Sequence, residues 1–176
     1  LGAAGQRILG LAGNFTDSGP TFVRIEGGDD SPLVVGARTV RGRIEITARA
    51  DSLFVVNVLP LEDYLRGVVP REIGGRHPGE EEAVAAQAVA ARTYTVRRLG
   101  QYGSLPFDVY ASVQDQVYEG IGAEETVSDR AIAETRGLVL VTEEGLLEAY
   151  YSSTCGGARG DIVTVWPHRA PSEALR

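Results

Sequence analysis

The chain has 176 residues, a net charge of −7, and 43% hydrophobic and 23% charged side chains. That length supports one globular unit, or two closely packed subdomains, with a core that needs no disulfide or metal. An acidic chain lacks the basic face that nucleic-acid phosphates demand, so no nucleic-acid partner is expected, while neutral sugars are not disfavoured. The 17 lysine-plus-arginine positions are all arginine, and methionine is absent. A missing initiator suggests a processed or excised fragment beginning at Leu1. No apolar run approaches a membrane span and no signal-peptide pattern is visible. The single cysteine, Cys155, excludes an internal disulfide and a multi-cysteine zinc site.

The stretch to about Leu59 has strand character. Phe22, Val23 and Ile25 alternate with charge ahead of the turn-forming Gly27-Gly28-Asp29-Asp30, and Leu33-Val34-Val35 follows. Ile44 and Ile46 alternate with Arg41, Arg43 and Glu45, the period of a half-buried strand. Leu53 to Leu59 reads as a more deeply buried strand.

The character changes at Pro60. Leu61-Glu62-Asp63-Tyr64-Leu65 predicts a short helix ending near Gly67, and a loop through Arg71, Glu72, Ile73 and His77 leads to the clearest helix of the chain. Pro78 suits its first turn, Glu80, Glu81 and Glu82 favour the positive end of its dipole, Arg97 and Arg98 the negative end, and Gly100 closes it. The alanine run between them has high helix propensity and lets neighbouring backbones come close, so this helix is expected to be central and buried. Thr126 to Arg136 predicts a second helix stopped by Gly137. Leu138 to Thr142 and Leu147 to Tyr151 predict a hairpin around Glu143-Glu144-Gly145, followed by a loop from Ser152 to Gly157. The expected fold class is α+β: a β-rich N-terminal part, residues 1–59, packed on a mixed α/β part, residues 60–176, with the alanine-rich helix at its centre.

Glu72 is the carboxylate of most interest, because it lies on a glycine-rich approach to a buried helix. A carboxyl drawn partly out of water holds its proton to higher pH and can serve as a general acid. A solvated loop glutamate paired with Arg71 or Arg76 is the plain alternative. Arg92, inside the alanine-rich helix, must find a partner or water; it either positions a ligand or forms a structural ion pair. Gln87 poses the same choice, with a buried hydrogen-bonding role preferred. Ser152, Ser153 and Thr154 offer hydroxyls and amides to a sugar, or simply form a tight turn. Asp115, Gln116, Tyr118 and Glu119 form a polar-aromatic run that could line a sugar groove or be an ordinary loop. Cys155 with His77 and His168 matches no metal motif or cysteine-enzyme signature.

Four ordered segments resemble the family of stage II sporulation protein D and the related amidase enhancers. They are Pro60 to Glu72, Glu82 to Tyr94, Gln116-Val117-Tyr118-Glu119-Gly120, and Tyr150 to Gly157 with Val165-Trp166 after it. The resemblance covers roughly residues 55 to 176 and implies an exported, extracytoplasmic enzyme acting on peptidoglycan glycan strands stripped of stem peptides. It implies lytic transglycosylase chemistry, in which Glu72 protonates the oxygen between N-acetylmuramic acid and N-acetylglucosamine. The muramic 6-hydroxyl then attacks its own anomeric carbon, leaving a 1,6-anhydro end. Such intramolecular attack needs no second carboxylate. The resemblance carries Arg92 over as a substrate- or loop-positioning residue, beside substrate contacts expected from Gln87, Gln116, Tyr118, Ser152, Ser153 and Thr154. No cofactor is implied. Some sporulation members bind zinc through cysteines ahead of the Gln-Val-Tyr segment; Tyr110 and Asp115 stand there, so no metal is expected. Ala85 stands where many members have lysine, Arg159 where a threonine is common, and Glu173-Ala174-Leu175 where a tyrosine-bearing segment is usual. The missing lysine and tyrosine favour the alternative, a non-catalytic wall-binding module that enhances or recruits an amidase. The resemblance also implies that the second part continues past residue 176.

Overall fold

The computed structural model describes residues 22–27, 32–49, 52–73, 79–151 and 160–168. Strands β1 (Phe22–Glu26), β4 (Arg43–Arg49) and β5 (Ser52–Val58) form an antiparallel sheet in the order β1-β4-β5. Ile25 lies opposite Ile44 and Val23 opposite Ile46, so the apolar alternation read from the sequence falls on one face. Strands β2 (Leu33–Val35) and β3 (Arg38–Val40) make a separate hairpin. The expectation for β5 is corrected: it is an edge strand of the sheet, with Leu53 60% and Val55 50% exposed.

Helix α1 runs from Leu61 to Ile73. The Pro60 carbonyl receives the Tyr64 amide at 3.0 Å, and Glu62 and Asp63 occupy the first turn, where carboxylates suit the dipole. The expected stop near Gly67 is corrected. The helix continues through Pro70, whose missing N–H leaves the Arg66 carbonyl without its usual helical donor. Packing supplies the compensation. Tyr64, Leu65, Val68 and Val69 recur at helical spacing and are buried, and each such apolar side chain contributes roughly 1.5–3 kcal/mol. Gly67 is required by a long-range neighbour: a Cβ there would sit 2.5 Å from the Tyr118 ring.

Helix α2 (Glu81–Arg98) is the expected alanine-rich helix, beginning three residues after Pro78, which lies outside the described residues. Ala88 and Ala91 are fully buried, so α1 and a later helix over residues 126–134 approach its backbone closely. A 3₁₀ turn (Gly120–Ala123) precedes α3 (Thr126–Glu134), and Gly137 follows with φ 75°. The C-terminal hairpin is shorter than expected, pairing only β6 (Val141–Thr142) with β7 (Gly145–Leu146). A short helix α4 (Ile162–Val165) is capped by Asp161, whose Oδ1 accepts the Val163 amide at 2.9 Å.

One core cluster joins Val40 and Ile44 of the strands to Leu65, Val68 and Val69 of α1, Val84 and Ala88 of α2, and Ile132 of α3. The expected α+β class, β-rich first and helical after, is the observed one. Paired arginines reinforce the junction: Arg41 makes a bidentate bond to Glu124 (2.6 and 2.8 Å), and Arg38 reaches Glu119 at 3.2 Å.

Candidate active site

Extending α1 past Gly67 changes the setting of Glu72. It lies on the helix, in line with the partly buried Leu61 and the buried Tyr64, Leu65, Val68 and Val69, one turn beyond the end of that stripe. Glu72 Oε1 accepts the Val117 backbone N–H at 2.9 Å. Among the described residues this is the one hydrogen bond it makes. The expected alternative, a solvated loop glutamate, does not describe this half-buried position.

The partner segment is fixed by Gln116, which is 0% exposed. Its Oε1 accepts the Tyr64 hydroxyl at 3.1 Å and lies 2.7 Å from Thr95 Oγ1. Its Nε2 donates to the Ala91 carbonyl at 3.2 Å and to the Tyr151 hydroxyl at 2.7 Å. The amide is therefore fully engaged. Because Tyr151 accepts from Gln116, its own hydroxyl hydrogen remains for another acceptor. Burial, then the nearby Tyr151, Asp115 and Glu72, pushes Tyr64 well above the ordinary tyrosine value. Burial and the Glu72 charge likewise push Tyr151 up, against the Gln116 hydrogen bond. Both phenols thus stay neutral donors within electrostatic reach of Glu72.

The other predicted contacts divide. Arg92 is 1% exposed, and its five N–H donors are all used inside the protein. Nε and Nη2 grip Glu62 at 3.0 and 2.8 Å, Nη2 also reaches the Ile132 carbonyl, and Nη1 reaches the Leu138 carbonyl and Thr135 Oγ1. The structural ion pair is the role this geometry gives it, with nothing left for a substrate. Tyr118 is likewise turned inward, 5% exposed and stacked on Tyr64 with centroids 5.4 Å apart. Gln116 supports the site without facing solvent. Gln87 is half-buried, and among the described residues its Nε2 has no hydrogen-bond partner. Ser152, Ser153, Thr154, Cys155 and His77 lie outside the described residues.

Asp115 was readable only as part of a polar run, yet its side chain is 2% exposed. Oδ1 accepts from the Tyr94 hydroxyl at 3.0 Å and Arg98 Nε at 3.2 Å; Oδ2 accepts from the Tyr102 hydroxyl at 3.0 Å and the Tyr110 amide at 2.8 Å. The Arg98 guanidinium also lies 3.7 Å over the Tyr94 ring. A cavity of about 730 Å³ opens between β5 and residues 106–111, walled by Phe54, Val56, Phe107, Tyr110 and Tyr118. Tyr64 lines it as well, but Glu72 does not, so the cavity and the carboxylate are separate features. Among the described residues no group of His, Cys, Asp or Glu is arranged to hold a metal, and no helix is long and apolar enough to cross a membrane.

Comparison with known proteins gives these features a family. An uncharacterised protein of Brachyspira hyodysenteriae is 40% identical over 108 residues, covering 61% of this chain and 29% of that protein. The amidase enhancer of Bacillus subtilis is 35% identical over 107 residues, 61% of this chain and 14% of its own length. Stage II sporulation protein D of the same organism is 30% identical over 157 residues, 80% of this chain and 45% of its own length. The chain therefore spans less than half the length of each of these relatives. No solved structure matches. The family described as Stage II sporulation protein (SpoIID) matches residues 49–141, from the end of β4 to the first residue of β6 and so across α1, α2 and Gln116. This chain belongs to the stage II sporulation protein family.

Proposed function

We propose that the protein acts in the cell envelope as a peptidoglycan lytic transglycosylase, with Glu72 as its catalytic acid. One observation carries the reading: Glu72 stands at the end of a buried helical stripe, with one oxygen held by the Val117 amide and neutral tyrosine hydroxyls within reach. A carboxyl so fixed has its second oxygen available to a glycosidic oxygen. Proton transfer from Glu72 to that oxygen releases the N-acetylglucosamine hydroxyl. The muramic C6 hydroxyl then bonds to the anomeric carbon, and its proton returns to the Glu72 carboxylate. Atoms balance without water, which is why one carboxylate suffices. Tyr151, whose hydroxyl accepts from Gln116 and donates to none of the described residues, suits a donor role toward the sugar. Ser152, Ser153 and Thr154 follow it directly in the chain and are assigned to substrate on the resemblance alone.

The test is mass spectrometry of peptide-free glycan strands incubated with the protein and with Glu72→Gln. Anhydro ends are expected from the unsubstituted protein and at least a hundredfold fewer from the variant, in line with the roughly 10²–10⁴-fold contribution of a general acid. A second reading, a wall-binding module that enhances an amidase, is favoured by the relative named amidase enhancer. It predicts glycan binding and amidase stimulation that Glu72→Gln leaves intact, with no anhydro product from either protein.

A further inference from the structure

We infer that Asp115 is the positioning residue of the Glu72 site, acting through the backbone of residues 115–117 and through Arg98. The inference rests on the reading of Glu72 as the working carboxylate. Four donors from three stretches of chain converge on one carboxylate: Tyr94 and Arg98 from α2, the Tyr102 hydroxyl, and the Tyr110 amide. The segment between Arg98 and Asp115 contains no regular helix or strand, so this carboxylate closes it against α2. Two consequences reach the site. Gln116 and Val117 follow immediately, one tying Tyr64 to Tyr151 and the other donating to Glu72. The Arg98 charge is also felt by the Tyr150 side chain, beside Tyr151. Glu72 is thus held by an amide whose place in space is set one and two residues earlier.

A residue that only stabilised the fold would loosen all of it together. A positioning residue loosens Val117 first. The measurement is amide hydrogen exchange at Val117 against Val68, a fully buried reporter of global opening, in the full chain and in Asp115→Asn. Asp129→Asn serves as the control, since Asp129 accepts from Arg66 at 2.9 and 2.7 Å and has no recorded bond to residues 115–117. In Asp115→Asn, Val117 should exchange about tenfold to a hundredfold faster relative to Val68, the factor that loss of a charge-assisted hydrogen bond supports. In Asp129→Asn the two amides should shift together. An unchanged Val117-to-Val68 ratio in Asp115→Asn overturns the inference. Should that variant fail to fold, Tyr102→Phe removes one of the four bonds, and the same ratio decides. On the same samples, Asp115→Asn should lower kcat for anhydro-product formation and leave KM near the unsubstituted value. Absence of product from the unsubstituted protein would defeat the transglycosylase reading, while the exchange ratio would still decide the role of Asp115.

Discussion

Arg92→Met separates the two roles open to Arg92. Methionine keeps an unbranched apolar stem in the space but removes all five donors. Glu62 loses its bidentate partner, and the Ile132 and Leu138 carbonyls each lose a donor. Breaking a buried ion pair from one side costs about 3–5 kcal/mol, a large share of a typical total of roughly 5–15 kcal/mol. The Glu62 side chain is 23% exposed and regains some water, so the lower half of that range applies. At roughly 2–4 °C per kcal/mol for a chain of this size, Tm should fall by about 6–16 °C. Thermal melting followed by near-ultraviolet circular dichroism measures it. The double variant with Glu62→Gln should lose less than the sum of the two single losses, because the pair is coupled. The reasoning is refuted if Arg92→Met melts within about 2 °C of the unsubstituted protein. It is refuted equally if the variant stays folded but loses saccharide binding, which would make Arg92 a ligand contact.

Alkali should act through the tyrosines. Burial pushes Tyr94 and Tyr118 up to about 12, so the fold holds their neutral forms and their contribution is complete below pH 10. Stability should then fall as pH rises from 10 toward 12, by up to about 1.4 kcal/mol per pH unit for each group. Equal urea midpoints at pH 9 and pH 11 would contradict this. Gly67→Ala should cost about 1–3 kcal/mol through overpacking against Tyr118, measured by urea unfolding. The double variant with Tyr118→Ala should lose less than the sum of the two single losses, since the clashing ring is gone; purely additive losses would show that the contact is not the cause.

What the sequence made legible was mostly local. The alanine run fixed α2, and the alternation of Ile44 and Ile46 fixed β4, because each pattern matches the period of its own element. Helix α1 was cut short because Gly67 and Pro70 are both helix breakers by propensity. Tertiary packing overrides them: the Tyr118 ring needs Gly67 bare, and that ring lies 51 residues along the chain. The Leu61, Tyr64, Leu65, Val68, Val69 spacing, continued one turn further, puts Glu72 on the stripe. Arg92 was ambiguous because its partners lie 30 to 46 residues away. Asp115 and Gln116 read only as part of a polar-aromatic run, a sugar groove or an ordinary loop, since hydrogen bonds from distant tyrosines, and not a hydrophobic period, are what bury them. Strand β5 looked deeply buried because apolar content alone does not say which strand stands at the edge of a sheet.

The Arg41–Glu124 clamp constrains how such a chain can diverge. Glu124 receives Arg66 as well, at 2.8 Å, and Arg66 is itself gripped by Asp129. Deleting the charge at position 124 alone would leave Arg41, in the turn between β3 and β4, without its carboxylate and would reduce Arg66 of α1 to its pairing with Asp129. Drift at position 124 is therefore expected to be matched at position 41, and to a lesser degree at position 66, which an alignment of relatives would check.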